Sequence, residues 1–157
     1  MTLRSFTGVL AALLLTGCQN APELPEPPRP DPIVDLEDAV RIAIKKARRQ
    51  VVDASDDGAA WLRLGKTYEA NGLPGEAARC YETAALLLPD HAETWYRLGR
   101  ARTKIGLPNQ ALSALTSAAE LDSTGLHICL RLGFVRLETS DLVGAQSDFK
   151  RAAGMDA

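Results

Sequence analysis

The sequence predicts an all-α protein: a solenoid of three helical hairpins preceded by one N-terminal capping helix. Three observations predict it. Apolar residues recur at the three- and four-residue spacing of a helix face, as in Trp61, Leu64 and Tyr68, then Ala77, Tyr81 and Ala84. The chain aligns with itself at a fixed offset, so that Trp61 meets Trp95 and Gly65 meets Gly99 and then Gly133. Hydrophobic residues make up 46% of the chain but aromatic residues only 5%, so alanine and leucine must carry the core, which suits closely packed helices.

Residues 1–17 precede that architecture and read as a secretory signal. Arg4 is a short positive region, and Phe6 to Leu15 is an apolar run too short to span a bilayer as a mature helix. The run ends in Leu15-Thr16-Gly17-Cys18, which resembles a bacterial lipobox. That resemblance implies a lipidated Cys18 at the mature N-terminus, its thiol carrying a diacylglyceryl group and its amine an acyl chain such as palmitate. Each buried methylene of such chains contributes about 0.8 kcal/mol of membrane affinity. Residue 19 is Gln rather than Asp. By resemblance to Gram-negative lipoproteins, this favours the periplasmic face of the outer membrane.

Residues 18–34 contain Pro22, Pro25, Pro27, Pro28, Pro30 and Pro32. Such a run makes neither a helix nor a sheet ladder. It is expected to be a semi-rigid tether reaching roughly 45 Å at about 3 Å per residue, a spacer with a proline-motif ligand as the alternative.

The capping helix is expected over residues 35–54. Leu36, Val40, Ala43, Ala47 and Val51 mark its apolar face, and Ala43 falls one full period before Ala77. Asp35, Glu37 and Asp38 lie at its start and Lys45, Lys46, Arg48 and Arg49 towards its end, an order that complements the helix dipole. The basic face is read as solvated, with contact to anionic lipid or cell wall as the alternative.

Residues 58–157 hold the repeat, in copies 58–91, 92–125 and 126–157. In the first, the turn Asn71-Gly72-Leu73 joins two antiparallel helices, Pro74 opens the second, and Pro89 ends it. Gly65 offers a flat spot for close helix approach. Leu64, Leu98 and Leu132 stay in register, as do Ala77, Ala111 and Ala145, and Ala84, Ala118 and Ala152. Tyr81 is followed by Leu115 and Phe149. Asp56, Asp90 and Thr124 are the expected N-caps.

This pattern, with its period of about 34 residues, resembles the tetratricopeptide repeat. Copy 2 departs from it with Arg102 for the tyrosine and Ser123 for the proline. Copy 3 departs with Cys129 for the tryptophan, Arg136 for the tyrosine and Ser140 at the turn glycine. A single hairpin cannot bury its apolar face, and stacking completes the core. Leu142, Ala145, Phe149 and Ala152 on the last helix are expected to form either an exposed face or a surface for a partner or for self-association.

Composition excludes several classes. Net charge is −2, and −3 without residues 1–17, which contribute only Arg4, so there is no nucleic-acid footprint. The only histidines are His91 and His127, on different repeats, and His127-x-Cys129 places its side chains apart on a helix. Cys80 and Cys129 are expected to be unpaired. No catalytic constellation, metal set or cofactor motif is present, and a non-enzyme is expected.

The resemblance further implies a groove lined by the first helices of the hairpins. It assigns Leu62, Lys66 and Glu69 to that groove, then Tyr96, Arg100 and Thr103, then Leu130, Phe134 and Leu137. Such a groove would be basic in its first half and apolar in its last, suited to a peptide with acidic and apolar side chains. Arg63, Arg97 and Arg131 repeat beside it, either as a binding ladder or as solvated helix surface. The asparagines of the chaperone-binding carboxylate clamp are missing, which excludes that role. Lipobox, proline tether and few repeats together resemble lipoproteins of pilus and secretion systems. Among these are pilotins of secretins and the repeat lipoprotein of tight-adherence (Flp) pilus assembly. An envelope adaptor recruiting a periplasmic protease or cell-wall hydrolase is the alternative.

Overall fold

A computed structural model describes residues 23–31 and 36–155. The expected signal segment, the expected lipidation at Cys18, and residues 18–22 and 32–34 of the expected tether lie outside the described residues. Those described form seven helices and no strand. They are α1 (Asp38–Asp53), α2 (Gly58–Ala70), α3 (Pro74–Leu87), α4 (Ala92–Lys104), α5 (Pro108–Leu121), α6 (Leu126–Glu138) and α7 (Leu142–Met155). Each packs on its chain neighbours, and α4 also touches α6. The three hairpins are α2–α3, α4–α5 and α6–α7, with α1 as the cap. None of the described helices is long and apolar enough to cross a membrane.

One packing rule holds the hairpins together. A Cβ on Gly65 would stand 2.5 Å from the Tyr81 ring, one on Gly99 2.5 Å from Leu115, and one on Gly133 2.7 Å from the Phe149 ring. The bare glycine lets the large residue of the second helix lie flat across the first. Trp61, Leu64, Tyr68 and Tyr81 are fully buried around this contact, as are Leu98 and Leu115 in the next hairpin. The tryptophans also tie the turns between repeats. The Trp61 indole donates to the Ser55 carbonyl at 2.7 Å, and Trp95, its counterpart in the next repeat, donates to Pro89 at 2.8 Å.

All three intra-hairpin turns share one geometry. The amides of Leu73, Leu107 and Asp141 bond back to the carbonyls of Tyr68, Arg102 and Arg136, around a residue with positive φ. This is the Schellman closure of a helix end. Glycine supplies the left-handed residue at Gly72 and Gly106, and Ser140 supplies it at φ 64° in the third.

Arg102 and Arg136, which replace the repeat's tyrosine, reach across to the second helix of their own hairpins. Arg102 donates to the Gln110 carbonyl and pairs with Glu82, while Arg136 donates to the Gly144 carbonyl and pairs with Asp148. Burial raises the Asp148 carboxyl above the ordinary aspartate range, although Arg136 and Arg151 pull the other way.

Several expectations change. The N-cap positions are Asp57, His91 and Gly125, one residue later than Asp56, Asp90 and Thr124. The period is kept, but of the three only Asp57 caps with its side chain, accepting from the Ala59 amide at 2.8 Å. In α1 the apolar face is rotated: Ile44 is buried and Ala43 is exposed. Leu36, Val40, Ala47 and Val51 pack as expected, and both 43 and 44 suit the helical spacing, but the larger Ile44 and not Ala43 completes the face, so the alanine position of a second repeat helix is not used in α1. No basic residue falls in its last turn. Ala145 and Ala152 are buried, so only part of the expected α7 face is open.

The tether differs most. Residues 25–30 are neither helix nor strand, as expected, but they do not extend freely. Pro27 and Pro28 are buried against the first hairpin and α1. This stretch adds no reach.

Candidate partner-binding face

The first helices of the hairpins, α2, α4 and α6, meet side chain to side chain along one face. Glu69 of α2 is central. Its carboxylate accepts from the Tyr81 hydroxyl at 2.8 Å and pairs with Arg97 at 3.1 Å and Arg100 at 3.2 Å, with Lys104 at 3.8 Å. Burial would raise its pKa, but the Tyr81 hydrogen bond and the charges of Arg100, Arg97 and Lys104 outweigh burial and hold it below the usual glutamate value. Glu93 of α4 pairs with Lys66 at 3.1 Å and Arg97 at 2.7 Å. The Arg97 and Lys66 hydrogen bonds lower its carboxyl too.

The cluster thus holds four cations (Lys66, Arg97, Arg100, Lys104) against two carboxylates. It remains basic, with its charges cross-linked between helices rather than free.

Further along, Arg100 lies over the Tyr96 ring at 5.6 Å, and Tyr96 stacks edge-on with His127 of α6 at 4.6 Å. Beyond them Leu130, Phe134 and Leu137 form an exposed apolar strip, with Phe134 53% exposed although its ring packs edge-on against Phe149. Leu137 and Phe149 continue into a cleft with Leu142, Gln146 and Lys150.

Of the nine expected groove residues, Lys66, Tyr96 and Arg100 are linked through side chains of α2 and α4, and Leu130, Phe134 and Leu137 lie on the α6 face that begins with His127. Leu62 serves neither. Only 8% exposed, it is buried in the core cluster that contains Ile44 and Val51 of α1, because the cap covers α2. Thr103 turns its hydroxyl back onto the Gly99 carbonyl at 3.0 Å. Glu69 is engaged by its own cations. The arginine ladder is paired at two rungs, Arg63 with Asp57 and Arg97 with Glu69 and Glu93.

Glu93 and His127 belong to this face and were not among the expected residues. They occupy the same position in successive repeats, and carrying that position through the period would have found both. Cys80 and Cys129 are buried free thiols; burial pushes the Cys80 thiol up, and Arg151 donates to Cys129 sulfur. The described residues contain no cluster of three metal-ligating side chains.

Two of the repeats match known sequence profiles. Residues 58–101 match one tetratricopeptide repeat profile and residues 92–124 another. The crystal structure of MamA is 25% identical, covers 78% of this chain and 75% of that chain, and superposes with a TM-score of 0.70. YrrB, described as a TPR protein with an unusual peptide-binding site, is 22% identical, with coverage of 75% and 61% and a TM-score of 0.69. The second TPR of Spaghetti (RPAP3), bound to the HSP90 peptide SRMEEVD, is 19% identical, with coverage of 73% and 98% and a TM-score of 0.61. Among curated protein sequences none matches the chain. Residues 58–124 thus match tetratricopeptide repeat profiles, and the fold is a TPR-like helical solenoid.

Proposed function

We propose that this protein is a non-enzymatic scaffold that holds a protein partner on the face shared by α2, α4 and α6. Under this reading it is tethered by a lipidated Cys18 to the periplasmic face of the outer membrane and acts in pilus or secretion-system assembly. The observation that carries the binding role is the contact of Tyr96, under Arg100, with His127, which by its helical spacing shares one face of α6 with the exposed Leu130, Phe134 and Leu137. An aromatic and an arginine beside an apolar strip have the composition of a binding hot spot. Two structural neighbours are described as peptide-binding or peptide-bound, which supports a peptide-like partner. The basic excess at Lys66, Arg97, Arg100 and Lys104 favours acidic residues at one end of that partner and apolar residues at the other.

The lipobox supports the anchor, and the combination of lipobox and few repeats supports the assembly role. Deleting the chain should reduce assembled secretin multimers and surface pili. Unchanged multimers and pili, with a shift in envelope protease or hydrolase activity, would replace assembly with the adaptor role. Labelling with a radioactive fatty acid should mark the wild type and not Cys18→Ala; label on neither would remove the anchor, and label on both would move it away from Cys18.

A further inference from the structure

On a different surface, the docking of the proline segment defines a second site. Residues 25–30 lie between α1 and α3, across α2. Pro27 and Pro28 are buried while Pro25, Glu26 and Arg29 are exposed. The Tyr68 hydroxyl, itself buried, donates to the Pro28 carbonyl, and the Arg48 guanidinium donates to the Pro27 carbonyl at 3.2 Å. Burial raises the tyrosine's pKa, so the hydroxyl stays a donor. Trp61, Arg79 and Thr83 line the wall beside Pro25 and Pro28.

This is the chemistry that proline-rich peptides require. Proline lacks an N–H, so recognition must come from donors to its carbonyls and from flat walls for its rings. Here two donors on two helices meet two successive carbonyls. The site is confined to the first hairpin: at the equivalent positions Arg102 and Arg136 close onto the Gln110 and Gly144 carbonyls of their own hairpins. A tyrosine in this place is a core residue of the repeat, but its hydroxyl here reaches past the core to the docked segment.

We infer that the groove between α1 and α3 is a binding site for extended proline-rich peptides, with residues 25–30 of the chain as its resident occupant. A proline-rich segment from a partner would compete with that occupant and release it. The site is independent of the face proposed for the acidic and apolar partner.

The test uses the full chain and a fluorescent peptide of residues 23–31. In a variant with Pro25, Pro27 and Pro28 replaced by glycine the two carbonyls remain but the buried rings and the fixed φ are lost, so the segment is expected to leave the groove. The peptide should bind this variant at least about tenfold more tightly than the parent, whose site is filled in cis at high effective concentration. Adding Tyr68→Phe should weaken that binding about tenfold, the effect of one hydrogen bond. Where circular dichroism shows Tyr68→Phe to be unfolded, Arg48→Gln provides the same reading from the other donor. Absence of binding to the open variant would overturn the inference. So would equal binding to parent and variant, unchanged affinity in a folded donor variant, or equal binding of a peptide whose prolines are all glycine.

Discussion

The Tyr81 hydroxyl donates a 2.8 Å hydrogen bond to the Glu69 carboxylate. Tyr81 belongs to α3, and its ring lies across Gly65 of α2, where a Cβ would stand 2.5 Å away. Its tip emerges on the face that α2 shares with α4. One side chain therefore links the helix-packing rule of the hairpin to the ion network of the candidate binding face.

That link makes stability depend on pH with a defined sign. The folded Glu69 carboxyl has a pKa below the usual value, because the Tyr81 bond and three cations outweigh burial. Its stabilisation is complete above the unfolded glutamate value of about 4.3 and is lost as pH falls through the folded value. Urea melts between pH 7 and 3 should show stability falling on acidification, with a smaller fall in Glu69→Gln. Parallel curves for the two proteins would contradict the network.

The glycine rule predicts opposite effects for the same substitution at two places. Gly99→Ala would press a methyl group into the buried Leu115 and should destabilise by about 1–3 kcal/mol, less the gain in helix propensity. Gly75→Ala in α3 meets nothing within 4 Å and should stabilise by a few tenths to about 1 kcal/mol. Chemical denaturation of the two variants measures both, and a shared sign would refute the rule.

Ser140 holds the left-handed position that glycine holds in the other two hairpins. Ser140→Gly should stabilise by about 0.5–1 kcal/mol, since a side chain there is strained. A thermal melt should rise by about 1–4 °C. A lower melting temperature would mean that Ser140 contributes something its backbone angle does not show.

Much of the fold was legible because it rests on short spacings repeated three times. Gly65 with Tyr81, Gly99 with Leu115 and Gly133 with Phe149 each fall inside one hairpin and recur with the period of the repeat. The face was less legible because its partners lie on different helices: Arg97 stands on α4 and Glu69 on α2, and a linear reading assigned charge to the groove without pairing it. Leu62 was misassigned for the related reason that a cap outside the repeat covers it. The register of α1 was read from the repeat frame, which placed Ala43 in a core that holds Ile44. The proline segment was the least legible. A proline-rich run looks like a spacer in sequence, and its docking depends on the Tyr68 hydroxyl and Arg48, which carry no local mark of that role.

The most direct test of the proposed binding role is site-specific photo-crosslinking in intact cells. A photoreactive residue is placed at Phe134 or Leu137 and, as a control, at Leu86 of α3, which is 75% exposed. We expect the same discrete adduct from both face positions, lost on Arg100→Glu and absent from Leu86. No adduct from Phe134 and Leu137, or an identical adduct from Leu86, would contradict a partner held on the face of α2, α4 and α6.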